Sequence, residues 1–249
     1  MAELTIKRFS AALNRHAAFQ MYIPDNAERH AKTLFILHGY AMSAFNWLPE
    51  GLADRFGFAV VIPDGENAFW LNGRSTGHRF ADYVGQELPE YVERTFGLAK
   101  GADDTYIMGF SMGGFGALHT ALAYPERFGK AAAMSSALIV HEVAGMKPGD
   151  GNGHANYDYY RECFGEPSDV LTSTANPEYL IDRLLSEGKK FPEIYMSCGT
   201  EDFLLENNRT FHKFLTDRKV RHEYYESPGD HNFIFWWEYA ERFAKMMFA

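Results

Sequence analysis

Apolar and polar positions in this chain fall into two alternating kinds of run. Short apolar runs rich in β-branched and aromatic residues predict strands at Leu4–Ser10, Ala18–Ile23, Thr33–Leu37, Phe58–Ile62, Thr105–Met108, Lys130–Ser135, Ile194–Gly199 and His222–Glu226. Thr33–Leu37 is apolar at consecutive positions, as befits a central strand buried on both faces. Longer stretches with apolar residues three and four apart predict helices at Trp47–Phe56, Phe80–Phe96, Met112–Tyr124, Pro177–Ser186, Leu205–Lys219 and Ile234–Met247. Strand and helix in alternation give an α/β class, a mainly parallel central sheet with helices on both faces.

One long stretch, Leu138 to Asn176, breaks the alternation. It holds Lys147-Pro148-Gly149-Asp150-Gly151-Asn152-Gly153 and then Tyr157-Asp158-Tyr159-Tyr160. The glycines, prolines and asparagines predict no regular element here, while the tyrosines offer something to pack with. The stretch follows a predicted strand where a small cap-like insertion over a pocket would sit. It is therefore expected to shape that pocket and add little to the core, with a plain surface loop as the alternative.

The chemistry centres on Gly109-Phe110-Ser111-Met112-Gly113, which lies between a predicted strand and a predicted helix. A serine in such a tight turn sits in strained backbone with its hydroxyl exposed, and flanking glycines let strand and helix pass closely. The serine needs a base, an acid to orient that base and two amide donors for an oxyanion. In the nucleophile-elbow arrangement these partners follow the serine in the order acid, then histidine. Thr200-Glu201-Asp202 follows the strand Ile194–Gly199, and Asp230-His231 follows the last strand. Asp202 and His231 are thus the expected acid and base, with Glu201 an alternative acid; an isolated aspartate there would also suit a helix N-cap. The backbone amides of Tyr40, after the turn His38-Gly39, and of Met112, after the serine, are the expected oxyanion donors. His38 suits a structural hydrogen bond to a neighbouring loop.

Composition narrows the class. The 249 residues, 46 % hydrophobic, suit a single domain over 1–249, and the net charge of −9 without a long basic run argues against nucleic acid. No apolar run has membrane-spanning length and the N-terminus carries no signal pattern, so a cytoplasmic protein acting on a small molecule is expected. A homo-oligomer remains open. Cys163 and Cys198 are too few for a zinc site and read as reduced thiols, so no metal is expected.

Leu37-His38-Gly39, Gly109-Phe110-Ser111-Met112-Gly113-Gly114, Tyr124-Pro125-Glu126-Arg127-Phe128, Cys198-Gly199-Thr200-Glu201-Asp202-Phe203-Leu204 and Gly229-Asp230-His231 together resemble the esterase D-like branch of the α/β-hydrolases. The likeness is close to small bacterial tributyrin and feruloyl esterases of carbohydrate esterase family 1. It implies an α/β-hydrolase fold and cofactor-free hydrolysis of short-chain acyl or hydroxycinnamoyl esters, with Ser111, Asp202 and His231 at the family's triad positions. An S-formylglutathione hydrolase-like thioesterase and a non-catalytic hydrolase-fold binding protein are the alternatives. The formylglutathione enzymes usually carry L-S-G-L-T-C in the oxyanion segment, which His38-Gly39-Tyr40-Ala41-Met42-Ser43 does not match. Aromatic residues cluster in the loops beside the triad, and Phe45, Trp70, Phe203 and Trp236 are the expected substrate contacts, with Trp47 and Trp237 nearby.

Overall fold

Alternating side chains on the central strands build two cores, one on each face of the sheet. In β3 (Thr33–Leu37), Phe35 and Leu37 face one core and Leu34 and Ile36 the other. The same division runs through β4 (Ala59–Pro63) and β5 (Thr105–Phe110), so both strands are buried from end to end. These relations come from a computed structural model that describes residues 2–25, 32–45 and 50–248.

The sheet has eight strands in the order β1-β2-β4-β3-β5-β6-β7-β8. The edge strands β1 (Ala2–Ser10) and β2 (Arg15–Ile23) form a hairpin, and β2 joins β4 antiparallel. From β4 onward, through β6 (Lys130–Met134), β7 (Glu193–Gly199) and β8 (His222–Ser227), every pairing is parallel. Helices α1 (Glu50–Phe56) and α9 (Phe233–Phe248) cover one face. The other face carries α2 (Phe80–Asp82), α3 (Leu88–Phe96), α4 (Met112–Ala123), α7 (Pro177–Ser186) and α8 (Leu205–Asp217). This is the α/β-hydrolase fold. The run Phe80–Phe96, expected as one helix, is continuous but widens to a π-helical turn at Tyr83–Glu87. The expected start of the first helix at Trp47 lies outside the described residues.

The stretch from Leu138 to Asn176 differs from its expectation. It contains α5 (Val140–Ala144), α6 (Tyr157–Phe164) and a 3₁₀ turn at Pro167–Thr172. It also feeds the core, because Val140, Val143, Tyr160, Cys163, Phe164 and Val170 are all buried there. The physical reason is visible in α6, whose buried residues Tyr160, Cys163 and Phe164 stand three and four apart on one helix face. Asn156, read as a loop residue, caps that helix by accepting the Tyr159 amide at 3.0 Å.

Helix α4 is buried through eleven consecutive residues, Met112 to Leu122, and lies very close to the strands. A Cβ on Gly113 would stand 1.9 Å from the Leu37 carbonyl oxygen, and one on Gly109 would stand 2.1 Å from that of Gly113. Gly113→Ala is therefore expected to cost about 3 kcal/mol or more, since backbone on both sides would have to move. A chemical denaturation midpoint equal to that of the wild type would refute this packing.

Candidate active site

Because β5, β7 and β8 run parallel, their C-terminal ends lie along one edge of the sheet, and the loops after them meet there. Ser111 sits in the turn between β5 and α4 at φ 56° and ψ −123°, a backbone conformation that costs a non-glycine residue energy. The strain is held by the end of β6 and the loop after it: the Ser111 amide donates to the Met134 carbonyl at 2.9 Å, and the Ala137 amide donates to the Ser111 carbonyl at 3.0 Å. Asp202 follows β7 and His231 follows β8. Their loops are laced together where Thr200 N–H donates to the Ser227 carbonyl and Glu201 N–H to that of Gly229, each at 3.0 Å.

The three side chains form a continuous hydrogen-bonded chain. His231 Nδ1 lies 2.9 Å from Asp202 Oδ2 and 3.1 Å from Oδ1, and His231 Nε2 lies 2.9 Å from Ser111 Oγ. A carboxylate only accepts, so Nδ1 carries the proton and Nε2 is left to accept from the serine hydroxyl. The Asp202 side chain is fully buried and the His231 ring is 17 % exposed. Burial alone would push the Asp202 carboxyl up, but hydrogen bonds from His231 and the Leu204 amide outweigh it and hold it below the ordinary carboxylate range. Phe203, 4.5 Å away, and Trp236, 4.9 Å away edge-on, flank the imidazole and fix its plane. Such a chain can move a proton from the serine oxygen to the imidazole as that oxygen attacks a carbonyl carbon.

Glu201 stands elsewhere. Its carboxylate accepts the Gly229 amide at 2.5 Å and the Thr200 hydroxyl at 2.9 Å, so it ties down the turn before His231. Those bonds hold its carboxyl below the usual range.

Ser111 opens into a cavity of about 370 Å³ whose lining includes Gly39, Tyr40, Met42, Phe69, Met112, Ile139, Tyr160, Phe203, Leu204, His231 and Trp236. Tyr40 and Met112 border it beside the serine, and Met112 is the first residue of α4, where an amide has no acceptor within the helix. The turn carrying Tyr40 has its own support. Ala41 is held at φ 59°, and its amide donates to Asn67 Oδ1 at 2.7 Å. The Asn67 carbonyl in turn accepts the Tyr159 hydroxyl from α6 at 2.5 Å. His38 bonds to the neighbouring loop, its Nε2 accepting the Gly65 amide at 2.9 Å.

The model of the Esterase family matches residues 10–247. The chain belongs to the Esterase family. It is 34 % identical to an acetyl esterase of Caldicellulosiruptor saccharolyticus, over 96 % of this chain and 95 % of the relative. Among solved structures it resembles the fluorophosphonate-binding serine hydrolase FphF of Staphylococcus aureus, with bound substrate, at a TM-score of 0.88 and 26 % identity over 100 % of this chain and 98 % of that one. An S-formylglutathione hydrolase of Staphylococcus aureus matches at a TM-score of 0.85 and 26 % identity, over 100 % of this chain and 99 % of that chain. This esterase is a serine hydrolase of carboxylic esters.

Two of the four expected aromatic contacts of the esterase line the cavity, Phe203 and Trp236. Trp70 does not. It is fully buried behind the site, with its indole N–H donating to the His38 carbonyl at 3.3 Å and its ring lying over Gly116 of α4. Phe45 is half exposed and does not line the cavity, and Trp47 lies outside the described residues. Sequence reasoning missed the polar rim of Glu142, Asn152, His154 and Asn207, as well as Asn67 behind the Tyr40 turn. Glu142, Asn152 and His154 lie within the stretch expected to shape the pocket, which was their only signal; Asn67 and Asn207 had none. Among the described residues no group of three or more metal-ligating side chains converges, and no helix is long and apolar enough to cross a membrane.

Proposed function

We propose that the esterase hydrolyses short-chain acyl esters by two acyl transfers, with Ser111 as nucleophile, His231 as general base and acid, and Asp202 as the group that fixes the imidazole tautomer. Three hydrogen bonds of 2.9 to 3.1 Å linking a strained, cavity-facing serine to a buried carboxylate carry this reading. His231 Nε2 takes the Ser111 proton as Oγ attacks the carbonyl, then returns it to the departing alkoxide, leaving an acyl-enzyme. Water repeats the sequence and releases the acid. The Tyr40 and Met112 amides receive the tetrahedral oxyanion, a contribution of about 3 kcal/mol per donor in comparable sites.

The acyl length follows from the cavity. About 370 Å³ is near the lower end of the range for small-molecule sites, and it must hold both halves of the ester. Initial rates with p-nitrophenyl acetate, butyrate and octanoate are expected to fall steeply at octanoate. A preference for octanoate would refute the short-chain reading. The aromatic lining of Phe69, Tyr160, Phe203 and Trp236 favours a planar hydroxycinnamoyl group as the second reading, and methyl ferulate in the same panel tests it.

A further inference from the structure

Glu142 is the one carboxylate among the described residues lining the cavity beside Ser111, and no lysine or arginine joins it there. It projects from α5, and Asn207 of α8 donates Nδ2–H to its Oε1 at 2.8 Å. A neutral amide orients the carboxylate without cancelling its charge. Its neighbour His141 is engaged elsewhere, with Glu178 at 3.1 Å. Burial is the main reason the Tyr160 hydroxyl titrates above its ordinary range, and the negative charge of Glu142 adds to it across the cavity.

The remaining walls suit a cation as well. Tyr40, Tyr160, Phe203 and Trp236 line the same space, and aromatic rings attract an ammonium group within about 6 Å. We infer that Glu142, held by Asn207, forms a charge-selecting subsite that takes a substituted ammonium group on the ester and turns away carboxylate-bearing esters. The inference rests on the esterase reading above and names the substrate class of that site. It contributes through binding and steering, because Glu142 bonds to Asn207 and stands outside the hydrogen-bonded chain of Ser111, His231 and Asp202.

Three acetates of similar shape test it: acetylcholine, its uncharged counterpart 3,3-dimethylbutyl acetate, and 4-acetoxybutanoate. For the wild type at low salt, kcat/KM is expected to fall in that order, by about fivefold to tenfold at each step, the scale of one solvent-exposed charge pair. Raising NaCl to about 0.5 M should compress the series. Glu142→Gln should bring both charged acetates close to the uncharged one when each variant is normalised to its own rate on 3,3-dimethylbutyl acetate, and Glu142→Lys should invert the order. Equal rates on all three in the wild type, or ratios that Glu142→Gln leaves unchanged, would overturn the subsite while the esterase reading stands. No hydrolysis of the uncharged acetate or of p-nitrophenyl acetate would overturn the esterase reading and the subsite with it.

Discussion

Ser111→Ala is expected to lower kcat on p-nitrophenyl acetate by a factor on the order of 10⁶ while leaving the fold intact. The size of the loss follows from the unit the serine belongs to: without the oxygen there is no acyl-enzyme, and the remaining oxyanion donors and cavity leave only about 10³ to 10⁴ over water. The fold survives because the turn is held by backbone. The Met134 carbonyl, the Ala137 amide and the close passage of Gly109 and Gly113 set the φ of 56° at position 111, and among the described residues the hydroxyl bonds only to His231. The melting temperature should therefore stay near that of the wild type. A fluorophosphonate probe should label the wild type at Ser111 and the variant nowhere in the cavity. A folded variant that keeps a tenth of the wild-type rate, or labels as well as the wild type, would remove Ser111 from the mechanism.

The elements around this serine were legible because local geometry leaves the residues little choice. Thr33–Leu37 and Pro177–Ser186 form with the bounds their patterning predicts, and α4 begins at Met112 as expected. Only glycine at 109 and 113 lets strand and helix pass at the observed separation, so the turn is written in the sequence. The insertion was less legible, since α6 buries Tyr160, Cys163 and Phe164 from a segment whose composition is mostly that of a loop. Few apolar residues suffice when they share one face.

Side-chain direction was the other blind spot. Trp70 belongs to an aromatic cluster near the site in sequence, yet positive φ values at Phe69 and Trp70 turn the chain so that Phe69 reaches the cavity and Trp70 the core behind it. No periodicity announces such a turn. Likewise, Glu142 and Asn207 are 65 residues apart, and only the packing of α5 near α8 brings them to one rim. Neighbouring residues can also part ways: Asp202 turns inward to His231 while Glu201 turns outward to Gly229.

That divergence makes Asp202→Asn the sharpest test of the orienting role, with an expected loss of about 10⁴ in kcat. An asparagine amide can donate to His231 Nδ1, which favours the tautomer with its proton on Nε2 and removes the acceptor from Ser111. Glu201→Gln should change kcat by less than about tenfold, because glutamine can still accept the Gly229 amide and the base keeps its tautomer. A larger loss from Glu201→Gln than from Asp202→Asn would hand the orienting role to Glu201. Stability gives a second readout. The Asp202 carboxyl is held below its unfolded value, so its contribution is present above the unfolded range near about pH 3.9 and lost as pH falls through the folded value. Urea denaturation of the wild type and Asp202→Asn should thus differ most near neutrality and converge in strong acid, whereas a gap that widens on acidification would show that the buried carboxyl is folded as the neutral acid.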